Sequence, residues 1–192
     1  MKPSPRTSGS AAAPRQPPSW RGLLERATLR EILMGAQDNL TNVLAVVLGV
    51  AIGAGRSDLV ALAGSAAAIA EAISMGGVLY TSSRAQRQAE RAAREPAAHG
   101  VETRLSPAWS GLTTFGAALV AGLIPLAPFW VLPFSSAAVL SVLISLGVLF
   151  GLGALTGRIS GGTWWRDGLR LLVVAGLAAL AAAAIGATIQ VG

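Results

Sequence analysis

Apolar residues fill long blocks of this chain, and short polar segments separate them. Five blocks of 22 to 25 residues can be drawn, at 32–54, 59–81, 108–132, 134–157 and 168–189. A helix needs about 20 mostly apolar residues to cross a hydrocarbon core of about 30 Å, so each block is long enough. Between the first two stands only Gly55-Arg56-Ser57-Asp58, while 82–107 and 158–167 are longer and charged. Pro125, Pro128 and Pro133 surround Phe129 and Trp130, which predicts a tight turn between the third and fourth spans with its aromatics at the membrane interface. The first 20 residues carry five prolines among Ser, Ala and Arg, with little to bury. Residues 1–28 therefore read as a disordered basic tail and 29–192 as one membrane domain with a cytoplasmic linker at 82–107. No apolar stretch follows the positive start, so the tail does not read as a cleaved signal peptide. The mixture of Leu23, Leu24, Ala27 and Leu29 with Glu25, Arg26 and Arg30 suits an amphipathic turn or two at the membrane surface.

Composition agrees with the pattern. Hydrophobic residues make up 53% of the 192 and charged residues 12%, about half the roughly 25% usual in soluble domains. The expectation is an all-α integral membrane protein with five transmembrane helices. With the N-terminus inside, the tail and the stretch up to Arg30 hold six bases, 82–107 holds five, and 158–167 with Arg170 holds three, which leaves Arg56 alone outside. That asymmetry predicts an N-in, C-out topology. It also accounts for the net charge of +6 without nucleic acid as a partner. The absence of cysteine excludes disulfides, thiolate nucleophiles and iron–sulfur clusters, and the lone His99 excludes any site needing two imidazoles from one chain. No Gly-x-Ser-x-Gly and no phosphate loop is present, so an enzyme is not expected.

Ionisable groups inside spans cost roughly 2.5–3.5 kcal/mol each on insertion scales, and that cost makes them candidates for function. Asp38 lies in the first span and Glu71 in the second, with Glu31 at the cytoplasmic mouth. Asn42 and Met34 are four residues either side of Asp38, and Met75 is four after Glu71. Each helix then presents on one face a carboxylate with amide or thioether atoms. Carboxylate supplies charge and hard oxygen, and a thioether favours softer divalent ions over Mg²⁺. A low dielectric favours the protonated carboxyl, so such a path can exchange a cation for protons. No Lys or Arg lies deep in any span to neutralise either acid. Other readings stand beside this one. Asn42 and Thr41 can serve as hydrogen-bond glue between helices, and Met34 and Met75 as filler, in a membrane scaffold or assembly subunit that transports nothing. A proton-coupled exporter of an organic cation through Glu71 is a third. The small-residue spacings Gly49–Gly53 and Gly53–Ser57 permit close packing within the chain or between copies.

The stretch Gly35-Ala36-Gln37-Asp38-Asn39-Leu40-Thr41-Asn42, running into Leu48-Gly49-Val50, resembles the opening helix of the vacuolar iron transporter family. Glu71-Ala72-Ile73-Ser74-Met75-Gly76, continuing to Tyr80-Thr81-Ser82, resembles that family's second helix, and Ile124-Pro125 its turn after the third. The similarity spans about 29–191. It implies proton-coupled export of Fe²⁺, sometimes Mn²⁺, from the cytoplasm across a bacterial inner membrane. It also implies a homodimer whose first helices line the path, with no permanently bound cofactor. By position, Asp38 would be the translocation carboxylate, Met75 a thioether ligand and Glu31 the carboxylate at the mouth. Asn42 and Glu71 join the candidate metal set, and Asp38, Glu71 and Glu31 the proton-coupling set, on the physical argument. Asn39 replaces the family's usual Gly, and Leu79 stands where many members have Glu. The short, arginine-rich 82–107 stands in place of the long metal-gathering domain of the eukaryotic members and reads as a solvated connector.

Overall fold

The computed structural model describes residues 20–93 and 106–189. Those residues form six helices and no strand: α1 (Trp20–Ala54), α2 (Ser57–Ala93), α3 (Pro107–Leu123), α4 (Ala127–Val131), α5 (Phe134–Ile159) and α6 (Trp164–Thr188). Residues 1–19 and His99 lie outside the described residues. The candidate surface segment 22–30 is continuous with the first span inside α1, and α2 runs on past the second span to Ala93.

Four helices are long and apolar enough to cross a membrane: α1 from Leu29, α2 to Ala89, α5 and α6. The expected third span is the exception. It ends at Leu123 after 17 residues, and α4 adds only 5 more beyond a turn. The cause is covalent. Pro125 and Pro128 supply no backbone N–H, so the α-helical ladder cannot continue through them. The chain turns instead on the bonds Leu126 N–H to Leu123 O at 3.2 Å and Phe129 N–H to Leu126 O at 2.9 Å. The freed carbonyl of Pro125 accepts from Ser141 Oγ of α5 at 2.6 Å, which satisfies it inside the protein. The aromatics at this turn divide. Trp130 is exposed at 58%, whereas Phe129 is buried at 6% and packs tilted against Phe134. The expectation that both lie at the interface fails for Phe129, which is turned into the protein.

Contacts give the direction of each helix. Gly35 of α1 faces Met75 of α2, and Val47 faces Gly64, so the two run antiparallel. Gly35 also faces Thr114, and Asn39 faces Gly122, so α3 runs parallel to α1. Gly153 and Gly157 of α5 meet Gly168 and Asp167 of α6 in antiparallel fashion. α1 is the central post. One apolar cluster joins its Val43, Val47 and Ala51 to Val60, Leu126 and Phe129. A second joins its Leu40 and Leu44 to Ala121, Leu149 and Ala175.

The spacing Gly49–Gly53 is used inside the chain. Gly49 and Gly186 meet backbone to backbone, Ala182 lies against Gly49, and a side chain on Gly53 would stand 3.0 Å from the Ile189 carbonyl oxygen. Small residues at this spacing let two membrane helices approach until their backbones touch. Gly186→Leu should therefore lower stability by about 1–3 kcal/mol through overpacking. Gly176→Leu, on the same helix with open space at its Cα, should be neutral. Unfolding midpoints of the two variants in detergent check this, and equal midpoints would refute the contact.

Candidate functional site on the open face of α1

Seen down its axis, α1 is enclosed on all sides but one. Buried residues recur at Ala36, Leu40, Val43, Leu44 and Val47, while Asp38 and Asn42 are exposed and Met34 is 51% exposed. Helical spacing puts Met34, Asp38 and Asn42 on one stripe. This stripe opens between α2 and α6. It continues, one turn further, into an apolar groove of about 560 Å³ lined by Ala45, Val46 and Gly49 of α1, Leu59 and Ala63 of α2, and Ile185 of α6. Glu31 is half-buried and, seven residues before Asp38, belongs to the same side.

The α2 candidates stand along the edge of this face. On α2 every fourth residue from Val60 to Gly76 is buried, and the row one position ahead (Leu59, Ala63, Ala67, Glu71, Met75) is half-buried. Leu59 and Ala63 of that row line the groove beside α1. Met75, at the other end, reaches α1 at Gly35, where its Cε lies 3.5 Å from the place a Cβ would occupy. Glu71 falls between those points, on the α1 side and level with the stretch around Asp38. Gly76, which follows Met75, is small for a reason: a Cβ there would lie 2.9 Å from Phe115 Cβ, so this glycine lets α3 close on α2.

Within the chain these groups share a face without converging on a point. Among the described residues no three His, Cys, Asp or Glu side chains gather as a metal-holding group. Leu79, at the position of a family glutamate, is buried at 9%.

A neighbour that periodicity did not single out sets the direction of Asp38. Asn39 is completely buried. Its Nδ2 donates to Ala118 O of α3 at 2.8 Å and to Ala68 O of α2 at 3.1 Å. Gly122 leaves room for the amide, since a Cβ there would stand 2.9 Å from both Nδ2 and Oδ1. Consecutive helical residues differ by about 100°, so locking Asn39 inward turns Asp38 outward. The glue between helices is thus Asn39. Asn42 is exposed, and Thr41 Oγ1 spends its proton on Gln37 O of its own helix at 2.8 Å. Gln37 adds a second cross-link, donating from Nε2 to Thr156 Oγ1 of α5 at 2.7 Å.

A sequence profile of the VIT family matches the chain in two overlapping pieces, residues 29–106 and 96–187. The chain belongs to the VIT family. The resemblance to vacuolar iron transporters drawn from the α1 and α2 motifs is borne out by that match. No curated protein matches the chain closely. VIT proteins are transporters rather than enzymes, and this member is an integral membrane protein of a family that moves metal ions. Its Asp38 stripe and its Ser74-Met75-Gly76 turn both lie within the first matched piece.

Each interhelical hydrogen bond in a membrane protein contributes about 0.6 kcal/mol on average, with some near 1.7. Asn39→Ala removes two, so it should lower stability by about 1–2 kcal/mol. Asn42→Ala, on the exposed stripe, should leave stability within about 0.5 kcal/mol of the parent. Denaturant titration in mixed micelles distinguishes them, and an Asn39→Ala variant as stable as the parent would remove the clamp from this account.

Proposed function

We propose that this VIT protein exports a divalent transition metal, Fe²⁺ or Mn²⁺, from the cytoplasm in exchange for protons. The observation that carries the reading is the exposure of Asp38 and Asn42 on α1, a helix long and apolar enough to cross a membrane. A carboxylate facing lipid there would cost several kcal/mol. A second copy of the chain covering the stripe removes that cost and brings a second Asp38 and Asn42 to the same path. The groove beyond Asn42 offers the apolar continuation of such an interface. The homodimer, with α1 against α1, is part of the proposal.

In this reading Asp38 carries the ion past the middle of the membrane. Met75 and Asn42 flank it, and Glu31 receives the ion at the mouth. A divalent cation neutralises paired carboxylates while it is bound, and protons neutralise them after it leaves. Glu71, level with Asp38 on the edge of α2, shares those protons. The thioether of Met75 favours Fe²⁺-like ions over Mg²⁺, which is hard and releases its water reluctantly.

Five crossings and an N-in, C-out topology in a bacterial inner membrane complete the proposal. Support for the fifth crossing comes from α3. It runs parallel to α1 from Gly35 to Asn39, and with the turn and α4 it follows α1 as far as Val47, where Leu126 packs. The chain has no cysteine, so Ser83→Cys and Ser57→Cys each introduce a single thiol. Impermeant maleimide on intact cells should label Ser57→Cys alone, and the opposite pattern would invert the assigned direction.

In proteoliposomes with a pH gradient, Asp38→Asn should reduce Fe²⁺-driven proton movement to background. Met75→Leu should fold and transport with weaker discrimination against Mg²⁺, because the two side chains are similar in volume. Ala45→Cys should cross-link two copies under mild oxidation. Wild-type transport by Asp38→Asn across the pH range, or a transporting monomer, would overturn the mechanism.

A further inference from the structure

On the other side of α1 from Met75, a second cavity opens at the arginine-bearing end of the bundle. It has a volume of about 350 Å³ and lies between α1, α5 and α6. Its walls are chemically unlike the apolar groove. Arg30 and Gln37 come from α1, Thr156 and Ser160 from the end of α5, and Asp167 and Arg170 from the start of α6. Arg170 Nη1 donates to Asp167 Oδ1 at 3.1 Å. The Asp167 carboxylate is held against Gly157 and Gly162, where Cβ atoms would stand 2.6 and 2.7 Å from its Oδ2. Arg30 has no carboxylate partner among the described residues. Two guanidinium groups and one carboxylate leave the cavity with one net positive charge.

The surroundings indicate what brings the compensating negative charge. Trp164 and Trp165 are exposed at this end, with Arg158 5.5 Å from the Trp164 ring centre and Arg166 5.3 Å from that of Trp165. Exposed tryptophans beside arginines mark the headgroup layer of a membrane. The cavity mouth continues along Leu171 and Val174, and Val174 is exposed on the outer side of α6. A ligand here therefore meets cations and hydroxyls at one end and an apolar helix face at the other. The geometry points to a bound anionic phospholipid, its phosphodiester between Arg30 and Arg170 and an acyl chain along Leu171 and Val174. The single surplus charge matches a monoanionic diester. Basic pockets between membrane helices at the headgroup level take such ligands. Gln37, held by Thr156, leaves its carbonyl oxygen for a headgroup hydroxyl, as in a glycerol headgroup. The lipid would tie α1 to α5 and α6 one residue before Asp38. This site is separate from the metal path and stands whether or not that path carries iron.

The test uses the full chain, delipidated in a neutral detergent, and reads bound lipid by native mass spectrometry together with the thermal midpoint. Dioleoylphosphatidylglycerol should bind and raise the midpoint, and dioleoylphosphatidylcholine should do neither. Inorganic phosphate at the same concentration should also leave the midpoint unchanged. Arg30→Gln breaks no ion pair among the described residues, so it should fold and bind phosphatidylglycerol about fivefold more weakly, and Arg30→Gln with Arg170→Gln about twenty-five-fold more weakly, at the strength usual for an arginine beside anionic lipid. Arg56→Gln with Arg84→Gln removes two charges elsewhere and should leave binding unchanged. An equal loss in that control would make the attraction diffuse and overturn the site. A midpoint shift with inorganic phosphate as large as with the lipid would overturn the lipid assignment.

Discussion

The rotational setting of α1 governs everything else described for this protein. α1 touches four other helices, and in a close-packed bundle a rotation of one residue would exchange its buried and open faces. The Asn39 amide fixes that angle, because its two donated bonds reach α3 and α2 at once. Its Oδ1 is buried without a donor among the described residues. The clamp therefore depends on Nδ2 alone, and it holds while both carbonyls stay in place. Hydrophobic burial along α1 is ample but undirected, since Leu, Val and Ala can be repacked at modest cost. A buried amide is less forgiving, because any other angle strands its polar atoms in hydrocarbon.

That setting decides which polar groups can be chemical. Five polar side chains lie within six residues of α1, from Gln37 to Asn42, and they have separate fates. Asn39 and Gln37 bind other helices, Thr41 binds its own backbone, and Asp38 and Asn42 are left open. The separation follows from 100° steps around a helix that is packed on most sides.

Much of the architecture was legible in the sequence because hydropathy marks segments and prolines mark breaks. The limits of α5 and α6 lie near blocks visible in the chain, whereas α1 begins well before its block and α2 runs well beyond its own. The third block misled by its length. Apolar composition continued from 108 to 132, but composition does not register a missing N–H, and Pro125 and Pro128 split the block into α3 and α4. The stripe of Met34, Asp38 and Asn42 was legible from four-residue spacing. Asn39 was not, because spacing gives the relative angles of side chains and not which of them points inward. The signal was present in principle: Asn39 lies in the register of Gly35 and Val43, both turned toward the interior. Likewise, Gly49–Gly53 announced a close approach without saying to which helix.

That last contact limits how the protein can move. A carrier that exposes its path alternately to two sides needs some pair of surfaces that can slide or separate. α1 and α6 are poorly suited to do so, since Gly49 and Gly186 meet without side chains between them. Side chains act as bearings, changing rotamer as helices shift, and at this crossing the opposed residues are Gly49, Ala182 and Gly186, which have no rotamers to change. Displacing one helix along the other would drive carbonyl oxygens into the opposing backbone. The two helices are thus held against sliding at this crossing, a constraint that any motion of the bundle has to respect.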